Sequence, residues 1–487
     1  MYRTLEELTD HPVFHYFAEI SKIPRGSGNE KEISDYLIRF AKDRGLESVQ
    51  DEALNVIIKK PATLGYESAP AVIIQGHMDM VCEKNKGTLH DFEKDPLQLR
   101  VMGDMLYATD TTLGADNGIA VAYALALLDA KDIPHPELEI VITTEEETTM
   151  NGALAVDPAH FKGKMLINID SEEDGKLLVS SAGGIRVRQV LPIMREAAPK
   201  DAAAYSIRIK GLKGGHSGIS IDKERGNANK LLGRVLQDVE LESPCYIQQM
   251  NGGLKGNAIP REAEAGILLQ LEDEHQVREK IRQWDETFKN ELQSSDPEVL
   301  IEFERSEPIS GYVFSKETAA KAISSLLIIP HGVQGMSMGI TGLVESSTNL
   351  GVVTTNDAEM IFESEIRSSI KSIKYLMVTQ AKAIADMLGC DLLIDADYPE
   401  WPYHPGSKLK KLFEETYKEK YEAEIEVIAV HAGIECGVFI DKIPGLDAVS
   451  IGPDMFSVHT PEEHLSIPST INNWQYFLYT LKRMKDL

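Results

Sequence analysis

Residues 71–81, Ala-Val-Ile-Ile-Gln-Gly-His-Met-Asp-Met-Val, limit what this chain can fold into more than any other stretch. An unbroken apolar run rich in β-branched side chains predicts a strand covered on both faces, the kind found inside a parallel α/β sheet. Ligands of such sheets bind beyond the carboxyl ends of the strands, which is where His77 and Asp79 stand. Being two residues apart on an extended chain, their side chains leave the same face, so the aspartate can lie beside the imidazole or orient the groups around it. Alone, a His-x-Asp pair is as readily a satisfied polar pair at a strand end. Its weight comes from similar chemistry further along.

Other predicted strands end the same way. Residues 138–144 read as a buried strand running into Glu145, Glu146 and Glu147, adjacent carboxylates that repel one another unless they share a cation or a proton. Residues 165–169 form another, which ends in Asp170. Between these, Asp116 follows a glycine-punctuated loop and stands at or just before the start of a long apolar helix over 119–128; taken singly, it is equally an N-cap. Near the C-terminus, residues 457–464 form a loop that can return His459 to the same region. Two imidazoles with several carboxylates suit Zn²⁺, Co²⁺ or Mn²⁺ in mixed nitrogen and oxygen ligation, and a shared carboxylate can bridge two ions roughly 3.5–4 Å apart. No thiolate is required, and Cys82 is expected in the core.

Composition excludes several functions. At 487 residues, 43% hydrophobic and 26% charged, the chain is a soluble globular protein too long for one ordinary core. Its 50 Lys plus Arg against 77 Asp plus Glu give a formal charge of -27, which disfavours nucleic acid and anionic membrane as partners. Four widely separated cysteines without a CxxC pair suit reduced thiols in the cytoplasm. The N-terminus lacks an apolar leader and no apolar run is long enough to span a bilayer, so neither export nor membrane insertion is expected.

Taken together, Gly76-His77-Met78-Asp79-Met80-Val81, Gly114-Ala115-Asp116-Asn117-Gly118, Thr144 to Glu147 with Met150-Asn151-Gly152-Ala153, Asn168-Ile169-Asp170-Ser171-Glu172-Glu173, Gly214-Gly215-His216-Ser217-Gly218, His431-Ala432-Gly433-Ile434-Glu435-Cys436-Gly437 and Ser457-Val458-His459-Thr460-Pro461-Glu462-Glu463 resemble motifs of the aminoacyl-histidine dipeptidases. These are also called Xaa-His or cytosol non-specific dipeptidases and belong to the dizinc exopeptidases; the resemblance runs from the first helices to the C-terminal end. It implies hydrolysis of unblocked dipeptides with two divalent ions, zinc first and cobalt or manganese as alternatives. It places His77, Asp116 and Asp170 on one ion, and Asp116, Glu147 and His459 on the other, with Asp116 bridging. Glu146 becomes the general base and Asp79 the residue that orients His77. The family usually shows two adjacent glutamates where this chain has three, and aligning back from Met150-Asn151-Gly152-Ala153 favours Glu146 and Glu147 over Glu145. For the substrate, the resemblance points to Arg367 as the partner of the terminal carboxylate, His216 as a donor to the developing oxyanion, Asn257 beside it, Gly433 as a point of close backbone approach, and Glu435 toward the free amino group. His216 has a plainer alternative, closing its own turn.

Because no metal-like residue falls between 170 and 459, an α+β lid is expected as an insertion at 184–383, between catalytic segments 1–183 and 384–487 of an α/β catalytic domain. A strand and helix after Asn257 are echoed by a strand and helix after Asn349, so the lid reads as two lobes; a homodimer is allowed for but not needed. An N-acyl amino acid amidohydrolase or a tripeptidase on the same scaffold, and a non-catalytic metal-binding protein, are the competing readings. An unligated glutamate beside the ions argues against the last.

Overall fold

In the computed structural model, which describes residues 4–487, the strand Val72–His77 is buried along its whole length inside an eight-stranded sheet. It pairs in parallel with Leu138–Thr143 on one side and Met165–Asn168 on the other, and Asp447–Ser450 extends the parallel set. Glu47–Gln50 and Val56–Lys60 add an antiparallel edge, while Lys176–Ser181 and Glu426–Val430 complete the other side. The apolar helix Ala115–Asp129 packs on Val72–His77, and Gly76 makes the close approach feasible. A Cβ at Gly76 would lie 2.4 Å from the Ala120 Cβ and 2.5 Å from the Asn117 Oδ1. The parallel strands therefore deliver His77, the 145–147 run and the 168–170 segment to one edge.

The chain divides into two compact units: Met1–Ser180 with Tyr403–Ala429 and Ile434–Leu487, and Ser181–Pro402 with Val430–Gly433. The second unit runs past residue 383, where the sequence pattern suggested it would end. The strand Asp391–Tyr398 pairs along Gly183–Pro192, which keeps the following residues with the inserted sheet.

Within the second unit, nine strands form one antiparallel sheet; eight of them make two halves of the same βαββαβ order, and Gly332–Met336 pairs with part of Val344–Thr355 beside them. One half comprises Ala202–Lys210, the helix Ala228–Glu242, Tyr246–Gly252, Ala263–Gln270, the helix Glu274–Glu291 and Leu300–Arg305. The other comprises Gly183–Pro192, the helix Lys316–Ile328, Val344–Thr355, Glu359–Ser368, the helix Lys371–Leu388 and Asp391–Tyr398. In each, the first and third strands are neighbours and the fourth lies outside the first. The first half is spliced between the opening strand and helix of the second, and the halves meet edge to edge at Gly252 and Val353.

One local expectation fails for an identifiable reason. Cys82 is exposed, not core, because the strand stops at His77 and the chain has already left the sheet.

Candidate metal centre

In the first unit, His77, Asp116 and Asp170 offer ligand atoms within 4.8 Å of one another, as do Asp116, Glu147 and His459. Asp116 is common to both groups: its Oδ1 lies 3.2 Å from the His77 Nε2 and its Oδ2 3.1 Å from the His459 Nε2. The sequence places it there by a break in the helix. Asp116 and Asn117 lie within Ala115–Asp129 but have non-helical backbone angles, so the carboxylate is turned out of the helix rather than used as its cap. Asn117 ties this break to two strand ends, its Oδ1 accepting the His77 N–H at 3.1 Å and its Nδ2 donating to the Ile169 carbonyl at 2.5 Å.

The donor set fits divalent cations. The Asp79 carboxylate accepts the backbone N–H groups of Glu146 and Glu147 and the Ser27 hydroxyl, and its Oδ1 lies 3.2 Å from the His77 Nδ1. That contact requires the proton on Nδ1, which leaves Nε2, 3.2 and 3.5 Å from Asp116 and Asp170, as the nitrogen a cation would take. A carboxylate on the far nitrogen is the usual backing of a metal-binding histidine. Without a cation, carboxylates crowd one another here. Burial, with Asp170, Glu435 and Glu147 outweighing the relief from His77, holds Glu146 well above the ordinary glutamate range. Burial and Asp116 raise Glu147, and burial with Asp116 and Asp79 raises Asp170. Hydrogen bonds to Asp116 and Glu147 push the His459 imidazole up to about 11. An accumulation of buried negative charge with imidazole nitrogens facing it is what divalent ions neutralise.

The three adjacent glutamates separate by geometry. Glu145 has a positive φ of 52°, and its carboxylate accepts from Asn151 and Thr149 of its own loop. Glu147 reaches His459 at 3.0 Å, whereas Glu146 belongs to neither ligand group and stands 3.9 Å from the His77 Nε2. Glu435, fully buried in the same unit, accepts from Gln75 at 2.5 Å and Thr143 at 2.6 Å through Oε2, while its Oε1 has no hydrogen-bond partner. Burial pushes this carboxyl up to about 8.

Sequence reasoning missed the residues that brace this edge. Arg25, buried at 2% exposure, donates to the carbonyls of Met78, Asp79 and Gly114, joining the strand end to the turn before Asp116. Glu30 accepts the Glu145 N–H at 3.1 Å, and Glu463 accepts N–H groups of residues 113–115. A signal was available in Pro24-Arg25-Gly26-Ser27-Gly28-Asn29-Glu30, a polar run between two helices that a plain helix cap does not require.

Four of the expected substrate residues lie in the second unit. The strand Gly215–His216 pairs with Ala258–Ile259, and the Asn257 carbonyl accepts the Ser217 N–H at 2.9 Å. His216 Nδ1 accepts the N–H groups of Gly218 and Ile219, so it does close its own turn, and the neutral ring carries its proton on Nε2. Arg367 is buried at 4% exposure, with Nη1 donating to the Tyr398 hydroxyl at 2.6 Å and Nη2 3.7 Å from Glu365. Gly433, half-buried, follows His431, whose Nε2 lies 2.7 Å from the Ser347 hydroxyl.

The profile of "Peptidase family M20/M25/M40" matches residues 73–483. The chain belongs to this family. M20 membership makes it a peptidase, a hydrolase of peptide bonds. It is 36% identical to the cytosol non-specific dipeptidase of Escherichia coli (strain K12) over 482 residues, 99% of each chain. The crystal structure of aminoacylhistidine dipeptidase from Vibrio alginolyticus superposes with a TM-score of 0.87 at 35% identity, covering 97% of this chain and 96% of that one. A Staphylococcus aureus tripeptidase, 17% identical with a TM-score of 0.56 over 98% of both chains, shares the M20 fold. No helix among the described residues of this M20 peptidase is long and apolar enough to cross a membrane.

Proposed function

We propose that the chain is a cytoplasmic metallodipeptidase that hydrolyses unblocked dipeptides, Xaa-His among them. The observation that carries this reading is Asp116 shared between two ligand groups, with the buried Glu146 beside them but in neither. His77, Asp116 and Asp170 would hold one divalent ion, and Asp116, Glu147 and His459 the other; zinc suits the mixed nitrogen and oxygen donors, with cobalt or manganese as substitutes. When bound, such a pair lowers the pKa of water and polarises a carbonyl. Glu146 takes the proton of the attacking water and passes it to the leaving amine, a role open to a carboxylate that lies beside both ligand groups and belongs to neither. Asp79 keeps His77 in its tautomer. His216, protonated on Nε2, supplies a donor to the developing oxyanion, with Asn257 shaping its turn. Arg367, oriented by Tyr398, accepts the terminal carboxylate, and Gly433 lets backbone come close to the substrate. Glu435 presents an oxygen without a partner to the free amino group.

Support comes from the relatives as well, since the Escherichia coli and Vibrio alginolyticus proteins, 36% and 35% identical over nearly the whole chain, are dipeptidases by name. The test is a panel of free, N-acetylated and C-amidated dipeptides and of tripeptides, Xaa-His and carnosine included, assayed with added Zn²⁺, Co²⁺ or Mn²⁺. Free dipeptides are expected to be cleaved fastest. Preferred cleavage of N-acetylated substrates would replace this reading with an acyl amidohydrolase, and preferred cleavage of tripeptides with a tripeptidase. Arg367→Ala should lose about 2–5 kcal/mol of transition-state binding with free dipeptides and little with amidated ones.

A further inference from the structure

Glu463 is a buried carboxylate, 2% exposed, that no step of the proposed chemistry uses. Its Oε2 accepts the N–H groups of Leu113 at 2.9 Å and Gly114 at 3.0 Å, and its Oε1 accepts that of Ala115 at 2.8 Å, with the Asp116 N–H at 3.5 Å. Gly114, at φ +64°, lets these successive N–H groups converge on one anion. The next residue, Asp116, is the one shared by both ligand groups. Glu463 also closes a tight turn through its N–H to the Thr460 carbonyl at 3.0 Å, and that turn begins at Thr460, the residue directly after His459. His459 is half exposed at 49% and sits at φ 63°, a conformation that its surroundings must maintain. One short segment thus carries an imidazole to the Asp116 carboxylate and a second anchor to the turn behind it. The His77 ring and the strand end before Asp170 have further bracing, through Asp79, which also holds the Glu147 N–H, and through Asn117.

We infer that Glu463 is a positioning residue that keys the His459 turn onto the Asp116 turn and so sets affinity for the ion of Asp116, Glu147 and His459 in preference to that of His77, Asp116 and Asp170. This rests on the two-ion reading above. The test is Zn²⁺ titration of the metal-depleted full chain by calorimetry and chelator competition, in wild type, Glu463→Gln, Glu463→Asp and His464→Ala. Glutamine keeps the size but turns an NH₂ group toward N–H donors. It should leave one ion bound within about threefold of wild type and weaken the other roughly 10- to 100-fold, the usual cost of removing a residue that orients a ligand. His464, stacked between Tyr107 and Phe456, loosens the same segment without touching these hydrogen bonds, and its loss should leave the ratio of the two affinities unchanged. If Glu463→Gln does not fold, Glu463→Asp decides by the same comparison. Equal weakening of both ions, no weakening of either, or a selective loss reproduced by His464→Ala would overturn the assignment. A wild-type chain that binds two ions yet cleaves no dipeptide sinks the proposed function and leaves this inference standing. Cleavage by wild type with both ions retained in Glu463→Gln does the reverse, and uptake of a single ion by wild type overturns both.

Discussion

Adjacent residues acquire different chemistry from what their carboxylates meet. Glu145 folds back on its own loop, Glu147 reaches His459, and Glu146 faces His77 from outside both ligand groups. A ligand and a base then fail differently when altered. Glu146→Gln should retain two bound ions by elemental analysis while turnover falls roughly 100- to 10,000-fold, the range of a lost acid–base catalyst. His77→Ala and Asp116→Ala should lose metal together with activity. Near-normal turnover in Glu146→Gln would remove it as the base and leave Glu145→Gln as the next variant to assay.

Among the elements, the parallel strands were legible because a run buried on both faces has a distinct apolar signature and ends where polar chemistry begins. His77, the 145–147 run and Asp170 could be read from that rule alone. Asp116 was harder: its position before an apolar helix looks like a cap, and only the backbone break at 116–117 shows the carboxylate turned away. Arg25 left only the polar run 24–30 as a signal, and Glu463 left none, since each works through backbone groups distant in sequence that carry no residue-type pattern. The end of the inserted unit was misplaced because Asp391–Tyr398, an exposed edge strand rich in aspartate, lacks the apolar pattern of a buried one. Tight packing between strand and helix is itself testable at Gly76. A methyl there would overlap the Ala120 Cβ and the Asn117 Oδ1, so Gly76→Ala should destabilise the fold by about 1–3 kcal/mol in chemical denaturation. An unchanged midpoint would mean that the helix is not held against the strand at this contact.

Across the whole molecule, an acidic chain is built from two units with separate cores, and each must keep some ionisable groups from charging. In the second unit this falls to two histidines. Burial and the nearby Lys230 lower His331 to about 4, while burial with the charge of Arg367 lowers His431 to about 3. Asn227 lies 3.1 Å from the His331 Nδ1, a contact that needs the neutral ring to accept. Unfolded, each histidine protonates near 6.5, so between that value and about 4 the unfolded chain binds more protons than the folded one. The sign follows: this contribution to stability is complete above about pH 6.5 and is lost as pH falls toward 4. Carboxylates of the first unit respond in their own way, so the effect is isolated by difference. In the metal-depleted chain, the gap in denaturation midpoint between wild type and His331→Gln should be widest at pH 7 and should narrow steadily toward pH 4.5, as wild type forfeits what the variant never had. Parallel profiles for the two proteins would show that His331 is not held neutral by the fold.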